Sequence, residues 1–145
     1  MAWNRTVGRW AWLLALAVPL AVARRHEPTP SGTPVNVLLE DFRVRPDTEI
    51  VPAGTVRFRI LNQGPSTHEL NVIRTARAPD KLPLQQDGLT VNEDAPDLDH
   101  LDEAEGLDID DRRTMVLRLA PGHYVLYCNM EGHYLGGMHA AFTVR

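Results

Sequence analysis

A single cysteine, Cys128, stands in a chain of 145 residues, so no internal disulfide can staple the fold. The lone thiol is either a small buried hydrophobe, an unpaired group or a metal ligand. Aromatic residues make up only 6%, the net charge is −4, and no basic, aromatic-rich segment occurs; nucleic-acid binding is therefore excluded. Long apolar runs are also missing. Trp10 to Ala23 is uncharged, but it is short for a bilayer and is interrupted by Pro19. No cysteine follows that run to accept lipid, and Arg24-Arg25 comes after it rather than before it, so neither a lipoprotein nor a twin-arginine signal is present.

The N-terminus instead has the layout of a Sec-type signal peptide over residues 1–23: Arg5 and Arg9, then the apolar run, then Ala21-Val22-Ala23 as a cleavage site. This predicts an exported protein, periplasmic or extracellular, with an uncleaved N-terminal anchor as the alternative and the one route to membrane contact. Residues 24–34 are rich in Pro, Thr, Ser and Gly and read as a flexible linker. Cleavage after Ala23 would leave Arg24-Arg25-His26 as a terminus able to form a square-planar nitrogen site for Cu(II) or Ni(II).

One domain, residues 35–145, is expected to follow. Val35 to Leu39, Phe42 to Val44, Thr55 to Leu61, His68 to Ile73, Thr114 to Leu119, His123 to Cys128 and Met138 to Val144 are short, rich in β-branched and aromatic residues, and bounded by turn residues such as Val51-Pro52-Ala53-Gly54 and Ala120-Pro121-Gly122. Such spacing predicts an all-β, Greek-key β-sandwich. A shift in apolar parity between Leu39 and Phe42 suggests a bulge at Glu40-Asp41. Thr75 to Asp111 reads as the long connection between sheets, within which Pro96 starts a short helix over Asp97 to Ala104.

Four residues stand out as a group: His68, Cys128, His133 and Met138. Taken singly, each has an ordinary structural reading. Side chains at i, i+2 and i+4 of a strand share a face, however, so His68 points with Leu70 and Val72, Cys128 with Leu126 and Tyr124, and Met138 with Ala140, Phe142 and Val144. Three inward-facing residues thus sit at strand ends, and His133 lies on a connecting loop between Gly132 and Gly136-Gly137, which give the backbone room to turn. Two imidazoles, a thiolate and a thioether suit copper in both oxidation states, and the set leaves no obvious open position for a substrate. The remaining histidines form no further cluster: His123 and His100 read as structural or solvated, and His139 should face outward.

The segment from Pro121 to Met138, PGHYVLYCNMEGHYLGGM, resembles the ligand loop of the cupredoxins, especially the small exported plastocyanin-, azurin- and sulfocyanin-like proteins; its Cys-x4-His-x4-Met spacing is one of the family's lengths. Asn62 to Leu70 is similar to the family's first-histidine segment. The resemblance implies one type 1 copper ion with Cys128 as thiolate, His68 and His133 as equatorial imidazoles and Met138 as axial ligand. It also implies single-electron transfer between redox partners and no enzymatic activity. A copper-buffering or copper-delivery protein is the alternative. The chain departs from the family at Glu69, where many members have a small polar residue such as Asn.

Charge is segregated. Asp87 to Asp111 holds 11 of the 19 carboxylates and no Lys or Arg; it is either a solvated loop or a surface that steers a basic redox partner, such as a cytochrome or an oxidase domain. Met130, Tyr134 and Leu135 around His133 form a candidate apolar contact patch for that partner. The protein is expected to act as a monomer.

Overall fold

The structure, a computed structural model, describes residues 31–145. Residues 1–23, expected to be a signal peptide, and the Arg24-Arg25-His26 site that cleavage would expose lie outside the described residues. Nine strands follow in order: β1 (Thr33–Glu40), β2 (Arg43–Pro46), β3 (Ile50–Val51), β4 (Gly54–Asn62), β5 (His68–Arg74), β6 (Asp99–Leu107), β7 (Arg112–Leu119), β8 (Gly122–Tyr127) and β9 (His139–Val144). They form a Greek-key sandwich of a four-stranded sheet, β2-β1-β4-β7, and a five-stranded sheet, β3-β9-β8-β5-β6. β1 begins two residues before the expected domain start at Val35.

Period-two alternation places the core. Val35, Val37 and Leu39 of β1 lie in register with Phe58, Ile60 and Asn62 of the parallel β4, and all six are buried. From the facing sheet, Leu70 and Val72 of β5, Tyr124 and Leu126 of β8, and Phe142 and Val144 of β9 complete the same cluster. Phe58 and Phe142 join the sheets in a tilted pair with centroids 5.4 Å apart, worth about 0.5–1.5 kcal/mol beyond the area it buries. Cys128 and Met138 belong to this cluster at one end of the sandwich.

Two expectations are corrected. The parity shift near Asp41 is a chain reversal and not a bulge: β1 and β2 pair antiparallel with Glu40 opposite Arg43, leaving Asp41 and Phe42 as a two-residue hairpin turn. Phe42 takes φ 62°, a left-handed conformation that costs a non-glycine residue about 1–2 kcal/mol.

The expected short helix at Asp97 to Ala104 does not form, and the described residues contain no helix; Asp99–Leu107 is instead the edge strand β6. It pairs with the open edge of β5, burying Ala104 and Leu107 and turning most of its carboxylates to water. Sheet pairing outweighs the weak local propensity, and the outward charges deter further edge-to-edge association.

The outer face of the five-stranded sheet is also covered. Leu82, Val91, Ala95 and Leu98 of the 75–98 connection pack with Ile73, Val125, Tyr127 and Tyr134 in a second apolar cluster. β5 and β8 are therefore buried on both faces, so the strands that carry His68 and lead into Cys128 are the most enclosed in the domain.

Candidate metal centre

His68 opens β5, Cys128 follows the last residue of β8, Met138 precedes β9, and His133 lies in the turn between them. The strand ends deliver the first three to one pole of the sandwich, and each is fully buried. His68 Nδ1 lies 3.2 Å from His133 Nδ1, which lies 3.5 Å from Cys128 Sγ. One donor atom from each of these three residues falls within 4.8 Å of the others.

Backbone hydrogen bonds fix the loop. Cys128 N–H donates to the Met138 carbonyl and Met138 N–H to the His133 carbonyl, each at 3.0 Å, while His133 N–H donates to the Met130 carbonyl at 2.9 Å. Gly132 and Gly137, with φ of 77° and 104°, take the left-handed turns that close it.

The electrostatics suit a cation. Burial pushes the Cys128 thiol up to about 11, so near neutral pH the thiol stays protonated unless a cation stabilises its thiolate. Burial, and then the neighbouring His133, depress the pKa of His68 against the opposing pull of Asp41, so its imidazole is neutral near pH 7, the form that can ligate. A thiolate, two imidazoles and a thioether at this spacing fit one type 1 copper ion.

Two neighbours in the β1–β2 turn have no counterpart in the sequence reading. Asp41 Oδ1 accepts a hydrogen bond from His68 Nε2 at 3.0 Å, on the side of the ring away from the other donors. The Phe42 ring stands edge-on to His133 with centroids 5.7 Å apart. Asp41 lies 27 residues before His68, and only the hairpin brings them together.

Glu69 has a defined place. Its Oε1 accepts from Asn129 N–H, next to Cys128, at 2.9 Å and from Asn71 Nδ2 at 3.0 Å. Burial raises its pKa, with these two bonds opposing the shift. The side chain at the departure from the family pattern thus ties the first-histidine strand to the ligand loop.

The expected apolar patch changes in membership. Met130 and Leu135 are exposed, but Tyr134 turns inward, accepting from Leu82 N–H and donating to the Pro79 carbonyl, both at 2.8 Å. Phe42, 49% exposed, stands at the surface beside His133 instead. His139 lies on the outer face as expected, against Tyr134. His100 contacts the Asn71 amide and forms with Glu93 and Glu103 a second close group, which adjoins the ligand loop because the Asn129 amide, next to Cys128, donates to Glu93 Oε1 at 2.9 Å.

A family model of the sulfocyanin (SoxE) domain matches residues 48–145. Among solved structures, the chain is similar to sodium-dithionite-reduced auracyanin from the photosynthetic bacterium Roseiflexus castenholzii at 20% identity and TM-score 0.59, covering 80% of this chain and 99% of that one. Auracyanin B aligns at 24% identity and TM-score 0.55, covering 82% and 92% respectively. Rusticyanin from Thiobacillus ferrooxidans aligns at 18% identity and TM-score 0.52, covering 79% of each chain. At these identities the structural likeness speaks for the fold. No curated protein matches the sequence.

Proposed function

We propose that this chain, which belongs to the sulfocyanin (SoxE) domain family and so to the cupredoxins, carries single electrons through one copper ion held by His68, Cys128, His133 and Met138. The convergence of both imidazoles and the one thiol at a buried pole carries this reading. Bound copper supplies a one-electron couple. The protein supplies donors fixed by strand ends and loop hydrogen bonds, so that little rearranges when the charge changes, and an apolar surround that excludes water. The enclosure of His68, Cys128 and Met138 supports a resident ion over one handed to an acceptor protein, which places copper delivery second.

His133, half-buried under Phe42 and beside exposed Met130 and Leu135, is the proposed route for electrons to a redox partner. A small apolar contact suits a transient encounter. The acidic run, four of whose eleven carboxylates lie on edge strand β6, is the proposed steering surface for a basic partner. Neutralising Asp97, Asp99, Asp102 and Glu103 should slow association and flatten its salt dependence. Export remains part of the proposal on the strength of residues 1–23; mass spectrometry of the mature N-terminus tests it.

The deciding experiment is the visible spectrum of the purified protein with Cu(II). An intense thiolate-to-copper band that disappears in Cys128→Ser is expected. A pale wild-type protein with weak d–d absorption alone refutes the assignment.

A further inference from the structure

We infer that Asp41 is a positioning residue that lowers the reduction potential of the centre by acting through His68. The inference rests on the proposed reading of His68 as a copper ligand.

An ionised carboxylate only accepts hydrogen bonds, so the 3.0 Å contact between Asp41 Oδ1 and His68 Nε2 assigns the ring proton to Nε2. The lone pair is left on Nδ1, the nitrogen that faces His133 and the thiol. The carboxylate thus selects the tautomer able to bind metal and fixes the plane of the ring.

The contact is built in several ways. Asp41 occupies the hairpin turn whose next residue, Phe42, is held at φ 62°. Its carboxylate also accepts from Ser66 N–H at 3.4 Å and from Ser66 Oγ at 3.2 Å, locking the turn to the segment that leads into His68. Behind the pair, a methyl group placed on Gly64 would lie 2.7 Å from both Asp41 Oδ1 and His68 Nε2, so no side chain fits at that position. His68 is fully buried, which leaves the carboxylate as the partner of its outer nitrogen.

The direction of the effect follows from charge. A carboxylate bonded to the outer nitrogen makes the imidazole a stronger donor and adds negative charge near the ion, and both favour the doubly charged over the singly charged state. Loss of such a partner typically weakens metal binding about 10–100-fold. Where a tenfold loss falls on Cu(II) and spares Cu(I), the potential rises by about 59 mV for one electron.

The test is voltammetry of the copper-loaded wild type, Asp41→Asn, Asp41→Ala and Ser66→Ala, with the visible spectrum recorded for each. The expected result is a thiolate band in all four proteins, a rise in potential equivalent to at least about a tenfold fall in the Cu(II)/Cu(I) affinity ratio in both Asp41 variants, and little change in Ser66→Ala, which loosens the turn but keeps the charge and the His68 contact. Where Asp41→Ala fails to fold, Asp41→Asn decides. An unmoved potential in Asp41→Asn, or an equal rise in Ser66→Ala, overturns the inference while the intact band preserves the copper reading; a wild type without the band overturns both. In the metal-free protein, nitrogen NMR should find the His68 proton on Nε2, and finding it on Nδ1 overturns the tautomer argument.

Discussion

Replacing Glu69 with alanine tests whether the residue that departs from the family pattern holds the centre together. Glu69→Ala removes the acceptor of Asn129 N–H, beside Cys128, and of the fully buried Asn71 amide. An orphaned, partly buried backbone donor costs about 1–3 kcal/mol and the lost amide bond about 1 kcal/mol. The burial that raises the Glu69 pKa shows that its charge is itself disfavoured there, and relief of that burden offsets part of the loss. The net loss is about 2 kcal/mol, or roughly 8 °C in Tm for a domain of this size. Glu69→Gln keeps the acceptor oxygen and loses the charge, so it should unfold close to wild type. Thermal unfolding of the metal-free proteins by circular dichroism, with denaturant titration at 25 °C, measures both. Equal Tm values for Glu69→Ala and wild type, or equal losses in the Ala and Gln variants, would refute the hydrogen-bond account.

Gly136→Ala should destabilise the protein by about 1–3 kcal/mol, because the added methyl would sit 2.1 Å from the Phe42 ring in a turn with little freedom to move. Combining it with Phe42→Ala should recover part of that loss, and additive losses in a double-mutant cycle would show that the ring is not the obstacle. Tyr134→Phe leaves the Leu82 N–H without its acceptor under the second cluster, so a fall of about 1–3 kcal/mol in denaturant unfolding is expected, with the thiolate band unchanged. A Tyr134→Phe protein as stable as wild type would mean that the 75–98 connection does not depend on this tie.

What local periodicity governs was readable in the sequence. Strand parity sent His68, Cys128 and Met138 inward because successive side chains alternate faces whatever the tertiary context, and the structure buries all three. The Cys-x4-His-x4-Met spacing marked the loop through its resemblance to the cupredoxin ligand loop, and its glycines gave the backbone the freedom to turn between β8 and β9. The same local logic failed where distant partners decided the outcome. Asp99–Leu107 has a helix-like start after Pro96 but became β6, because the open edge of β5 offered it a ladder of hydrogen bonds. Tyr134 looked like part of an exposed loop and turned inward because Leu82 and Pro79, some fifty residues earlier, provide partners for its hydroxyl.

The sequence by itself therefore determined the donor set, the faces on which those donors lie and the sandwich that carries them, all consequences of a two-residue repeat and of side-chain chemistry. Only the tertiary structure decided what stands behind the donors. Asp41 and Phe42 reach His68 and His133 because a hairpin turn from the other sheet folds over the pole, and no spacing in the chain encodes that approach. A ligand's identity is set by its own atoms, whereas its basicity and exposure are set by whatever the fold packs against it.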